Sequence, residues 1–231
     1  DMGPMYGFNW SHFGADYKGM KYDYEGQGFN QIDYCLNLLR SDPFSRRILM
    51  TTYNPEVAKE GCLFPCHGIS IIFHVEPQNF SNSFAPTSKD VEPQNSSNSF
   101  APPSKEVEPS KENKYKLSCM MTQRSVDTCC GLPFNIASYA LLVHLFCEVL
   151  NNDINYKGPQ FVPGRLVMCL ADVHVYNIHY TGAVRQTLRE SYDFPKLVFK
   201  NKVSNLTEFN IEDVELIDYK SYPLINFKMV A

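Results

Sequence analysis

The chain has 231 residues, 44% of them hydrophobic and 20% charged, with a formal net charge of −4. That length and aromatic content suit one large globular domain with a sizeable core and exclude a mainly disordered protein. The acidic balance excludes a generally basic nucleic-acid binder, so any phosphate site has to be built locally.

No apolar run approaches the roughly 20 residues that span a bilayer, and Asp1-Met2-Gly3-Pro4 has neither region of a secretory leader. A soluble, non-secreted chain is expected. Eight cysteines form no Cys-x-x-Cys pair and no zinc-type spacing with histidine, so no metal is expected and reduced thiols point to cytoplasm or nucleus.

In chain order, Asn30 to Arg40 predicts an amphipathic helix, with Asn30 as its cap, Ile32, Cys35, Leu36 and Leu39 on one face, and a stop at Asp42-Pro43. Arg47 to Tyr53 reads as a strand. His67 to Val75 and Tyr115 to Met121 read as two more, antiparallel to each other across a long connection. Residues 76–113 in that connection hold a direct repeat: Val75-Glu76-Pro77-Gln78-Asn79 returns as Val91-Glu92-Pro93-Gln94-Asn95, with a partial third copy from Val107. Rich in Pro, Ser and Asn and lacking apolar periodicity, it is expected to be a flexible loop. Lengthening a connection from about 4 to about 40 residues costs only roughly 2 kcal/mol of closure entropy.

Pro133 to Leu150 predicts a helix apolar nearly all round and therefore central and buried. Arg165 to Ala171 reads as a strand, Ile178 to Glu190 as a second amphipathic helix, and Leu197 to Phe199 and Val214 to Tyr219 as late strands. Strands mixed with helices in no regular alternation argue for an α+β layered fold.

Three groups carry candidate chemistry. Phe64-Pro65-Cys66-His67 sets a thiol in a turn before a strand, which fits a nucleophile given a cation nearby and equally fits a buried inert cysteine. Arg46-Arg47 and Gln123-Arg124-Ser125-Val126-Asp127 place guanidinium and hydroxyl groups at strand ends, where phosphate is commonly held; a solvated face is the plainer alternative.

Together with Gly131-Leu132-Pro133-Phe134-Asn135-Ile136-Ala137-Ser138-Tyr139-Ala140-Leu141-Leu142, these groups resemble the thymidylate synthase family. Asp42-Pro43 before Arg46-Arg47, Gly3-Pro4-Met5-Tyr6-Gly7-Phe8-Asn9-Trp10 and Asp172-Val173-His174-Val175-Tyr176 complete the family's order. The likeness runs from Asp1 to Ala231, interrupted by the repeat and by a shorter insertion near Ile154 to Val162. It implies a single domain lacking the usual N-terminal part. The implied fold is a mixed, mostly antiparallel sheet packed by helices, with the sheet forming a homodimer interface.

The implied activity is reductive methylation of dUMP to dTMP, with 5,10-methylenetetrahydrofolate as co-substrate and dihydrofolate released. By the same resemblance, Cys66 adds to C6 of the uracil, with Tyr6, His67, Arg124 and Asn135 in the catalytic group. Gln123, Arg124, Ser125, Asn135, His174 and Tyr176 bind dUMP, joined by Arg46 and Arg47 from the partner subunit. Asp127, Cys130, Gly131 and Ala231 line the folate site. No membrane or DNA partner is implied. Cys130 stands where the family usually has Leu, Ala171 where Gly is common, and Asn226 where Lys is usual. Alternatives at this level are a dUMP hydroxymethylase of the same superfamily and a catalytically silent nucleotide-binding relative.

Overall fold

The computed structural model describes residues 1–78 and 114–230; most of the tandem repeat and Ala231 lie outside them. The elements are α1 (Tyr6–Ser11), α2 (Gln31–Ser41), β1 (Leu49–Met50), β2 (Ser70–Pro77), β3 (Lys114–Asp127), α3 (Gly131–Asn152), β4 (Gln160–His174), α4 (Tyr180–Thr187), β5 (Lys196–Phe199) and β6 (Val214–Ile217).

Alternation builds the centre. Ile71, Phe73 and Val75 of β2, and Leu117, Cys119 and Met121 of β3, are buried on one face of their strands. The two strands pair antiparallel from Ser70 with Thr122 to Pro77 with Tyr115, as their patterns predict. The sheet runs β1-β2-β3-β4, and its last pair is parallel. A parallel neighbour needs a crossover, which α3 supplies. A separate two-stranded sheet joins β5 and β6. This is the mixed α+β architecture expected.

In α3, Tyr139, Leu142, Val143, Phe146, Val149 and Leu150 recur every three or four residues and are buried with the sheet. Phe146 stacks on Phe73 at 4.7 Å, and full burial of such a side chain contributes about 1.5–3 kcal/mol. From α2, Cys35, Leu36 and Leu39 close the same core, and Asn30 accepts the Asp33 N–H at 3.1 Å as the helix cap.

Four expectations need correction. The first turns of α3 are not buried: Phe134 is 75% exposed and Ile136 also faces solvent. By length and composition α3 is apolar enough to cross a membrane, contrary to the expectation that no run approaches this, but its inner half belongs to the core. The strand read over Arg47 to Tyr53 contracts to two residues, because side chains capture the backbone beyond it. Gln31 donates to the Thr51 carbonyl and accepts the Thr51 N–H, Asn9 donates to the Thr52 carbonyl, and Thr52 N–H donates to Gly68. The helix read over Ile178 to Glu190 shrinks to Tyr180–Thr187 after a short 3-10 turn, whose His179 ring is held by the Lys228 carbonyl.

Part of the expected insertion near Ile154 to Val162 also proves to be strand. Asn151 at the end of α3 donates to the Phe161 carbonyl and accepts the Phe161 N–H, each at 2.8 Å, and so starts β4 beside Tyr115.

Candidate active site

Because β3 and β4 are parallel, both end at the same edge, with Ser125 opposite Asp172 and Asp127 opposite His174. Strand alternation points Gln123, Ser125 and Asp127 to one face there. The chain then turns at once into α3: the Asp127 carboxylate accepts the N–H groups of Cys129 at 3.0 Å and Cys130 at 3.1 Å, bending the strand into the helix. One turn into α3, Asn135 accepts a hydrogen bond from the Gln123 amide at 2.9 Å. That leaves the Asn135 NH2 group free to donate. Gln123 is buried, also donates to the Ser125 carbonyl, and has an Oε1 without a partner among the described residues.

The loop carrying Cys66 is zipped onto β3 at this edge. Arg124 N–H donates to the Cys66 carbonyl at 2.7 Å, and its Nε donates to the Pro65 carbonyl at 3.3 Å while the guanidinium covers the Phe64 ring. Gly68 makes the return into β2 possible. It sits at φ +66°, and a Cβ there would lie 2.4 Å from the Tyr139 hydroxyl and 2.9 Å from the Thr52 hydroxyl.

Around the half-buried Cys66 thiol stands a neutral polar network. The Tyr6 hydroxyl lies 3.4 Å from Sγ and accepts the Cys66 N–H at 3.3 Å. Its ring stacks on His67 at 4.1 Å, and His67 Nδ1 shares a hydrogen bond of 2.9 Å with the Tyr139 hydroxyl. Burial, reinforced by the hydrogen bond to Cys66, pushes the Tyr6 phenol well above its usual range, and burial does the same to Tyr139. Burial lowers His67 to about 4, so its imidazole is neutral at pH 7. Proton donors and acceptors without net charge therefore stand on the Tyr6 and His67 side of the thiol, with the Arg124 guanidinium bonded to the same loop.

The structure thus brings Tyr6, Cys66, His67, Gln123, Arg124 and Asn135 into one linked group. Ser125 reaches Asp172 at 3.5 Å, and His174 packs edge-on against Tyr176 with Nδ1 at 3.5 Å from the Asp172 carboxylate. Cys130 and Gly131 open α3 beside the C-terminal segment, where Cys130 Sγ is 3.9 Å from the Phe227 carbonyl. Arg46 and Arg47 are exposed just before β1 and form no ion pair with any described residue. Ala231 lies outside the described residues.

Two residues of the site escaped sequence reasoning. Tyr139 was read only as core, although it stands four residues after Asn135 and hence on the same helix face. The sequence reading places His179 in an amphipathic helix; nothing local in its sequence foretells that its ring anchors the C-terminal segment.

A thiol, a guanidinium and paired amides gathered at the carboxyl ends of two parallel strands define an α+β protein equipped for thiol addition to a polar, anionic ligand. Comparison with known proteins narrows that class. The family model for thymidylate synthase matches residues 1–231. The chain is 38% identical over 233 residues to a thymidylate synthase of Candida albicans, covering 99% of this chain and 64% of that protein. It is 36% identical over 229 residues to a thymidylate synthase of Saccharomyces cerevisiae, covering 99% and 63%. A bifunctional dihydrofolate reductase-thymidylate synthase of Leishmania major is 36% identical over 231 residues, covering 100% of the chain and 36% of that protein. The chain belongs to the thymidylate synthase family, and it spans less than two thirds of the length of these relatives.

Proposed function

We propose that this chain carries the catalytic core of a thymidylate synthase, methylating dUMP to dTMP. The observation that carries the reading is the Cys66 thiol held at 3.4 Å from the Tyr6 hydroxyl on a loop bonded through Arg124 to β3. Cys66 adds to C6 of the pyrimidine, and Arg124 offers charge to both the thiolate and the substrate phosphate. Asn135, oriented by Gln123, donates to O4 of the ring, which favours uracil over cytosine. Tyr6, Tyr139 and neutral His67 supply uncharged groups for moving the C5 proton. His174 and Tyr176 serve the sugar hydroxyl.

5,10-Methylenetetrahydrofolate, when bound, supplies the one-carbon unit and the reducing equivalents. Two observations fit such a co-substrate. Phe134 and Ile136 are uncovered at the start of α3, as a flat apolar ligand requires, and the Asp127 carboxylate beside Cys130 and Gly131 suits the N–H edge of a pterin.

The chain acts as a homodimer in this reading. Ile72, Met120 and Val167 stand in register across β2, β3 and β4 on the sheet face away from α3, and Met120 and Val167 are exposed. A second copy would cover this face and bring Arg46 and Arg47 to its neighbour's phosphate site. All eight cysteines are free thiols, which supports a cytosolic or nuclear location.

The test is an intact-mass spectrum after incubation with 5-fluoro-dUMP and methylenetetrahydrofolate, since fluorine at C5 cannot leave as a proton does. A covalent adduct mapped to Cys66 and lost in Cys66→Ser is expected. Binding of the nucleotide without any adduct would overturn the catalytic reading.

A further inference from the structure

Beyond the thiol site, three donor groups meet where β3 turns into α3: the Asp127 carboxylate, Cys129 Sγ and His179 Nδ1, all within 4.8 Å of one another. The histidine makes this more than a coincidence of residue types. Its Nε2 lies 2.7 Å from the Lys228 carbonyl, and a carbonyl oxygen only accepts, so Nε2 carries the ring proton. Nδ1 is then the ring nitrogen that faces Asp127. The residue is 1% exposed, Nδ1 has no hydrogen-bond partner among the described residues, and Asp127 Oδ1 lies 3.9 Å from it. A buried ring nitrogen with no hydrogen-bond partner, set against a carboxylate and a thiol, leaves room for a third group held among them.

We propose that Asp127, Cys129 and His179 form a binding site for a divalent zinc ion. The donor set is one imidazole nitrogen, one thiolate and one carboxylate, a combination zinc accepts and hard cations such as magnesium do not favour. Both supporting contacts are already in place. The far ring nitrogen of His179 donates to a backbone carbonyl, as a metal-bound histidine commonly does, and two backbone N–H groups fix the Asp127 carboxylate. Zinc bonds of about 2.0–2.3 Å place donors roughly 3.2–3.8 Å apart, so the site closes by about 1 Å. Cys129, half-buried on the turn, is the side chain that moves.

Zinc takes the thiolate form of Cys129, so uptake of the ion releases the thiol proton to solvent. Three protein ligands leave a fourth position for water. Through Lys228 the ion would also steady the C-terminal segment, and it would occupy the carboxylate that the proposed folate site uses.

The experiment titrates the chelator-treated 231-residue chain with Co2+ and then Zn2+, with no nucleotide or folate present, so its failure leaves the adduct experiment standing. The expected result is one equivalent of Co2+ with a thiolate-to-metal absorption band that Zn2+ displaces. Cys129→Ser removes the band and weakens binding about tenfold or more, while Cys130→Ser and Cys66→Ser keep both. No band, or a band that survives Cys129→Ser, overturns the proposal. Because Cys129 is not in the packed core, its variant keeps the fold, and a circular dichroism spectrum like that of the unaltered chain verifies this.

Discussion

From Leu142 to Leu150, α3 presses Leu142, Val143, Phe146, Val149 and Leu150 into the core, whereas from Leu132 to Ser138 the same helix leaves Phe134 and Ile136 in the open. The contrast extends to the sheet. Toward the start of β3 the buried side chains are apolar, as with Leu117 and Cys119; toward its end the buried Gln123 has an oxygen without a partner among the described residues. Among the described residues one pole is packed with apolar side chains, and the other combines uncovered Phe134 and Ile136 with a buried polar atom that has no partner. Such deficits cost stability, and they gather where a ligand would relieve them.

The sharpest way to break the comparison is to injure each pole in turn. Phe146→Ala, at the packed pole, is expected to cost about 3–5 kcal/mol in urea unfolding, because it opens a cavity against Phe73. Gly68→Ala at the open pole should cost about 1–3 kcal/mol through backbone strain, and the clash with Tyr139 should cut adduct formation at Cys66 by more than that loss of folded chain explains. Asn30→Ala, which removes only the cap of α2, should cost about 1 kcal/mol and leave the adduct unchanged.

His67 sharpens the contrast through pH. Burial lowers its pKa from the ordinary 6.5 to about 4, so below 6.5 the unfolded chain binds a proton that the folded chain refuses. The stabilisation from neutral His67 is complete above that value and is lost as pH falls toward 4. Unfolding followed at pH 7 and pH 5 should show this decline, and His67→Gln should flatten it. Smallest of all, Phe134→Ala should change stability by no more than about 0.5 kcal/mol while weakening folate binding. A stability loss like that of Phe146→Ala would mean that the exposed turns of α3 are core after all.

Much of this was legible in advance. The alternation of Ile71, Phe73 and Val75 predicts β2 and its partner, and Asn30 marks the start of α2, because period and cap chemistry act over a few residues. The thiol turn at Cys66 and the strand-end Arg124 stood out from residue type alone, and the family resemblance placed Asn135 with them. What failed was local reading across non-local bonds. The strand read from Arg47 stops at Met50 because Gln31, twenty residues earlier, takes over the Thr51 backbone. Likewise β4 begins at Gln160 because Asn151 holds Phe161.

By itself the sequence determined the type of most elements after α1, the α+β class and the candidate nucleophile, since each rests on periodicity or on residue chemistry at short range. Only the tertiary structure decided that His67 meets Tyr139, that Gln123 orients Asn135, and that His179 is drawn from an amphipathic-helix pattern to face Asp127 and Cys129. The physical reason is that these contacts come from the folding of α3 and the Cys66 loop onto the end of β3 and from the parallel pairing of β3 with β4, and no spacing along the chain encodes which side chains meet there.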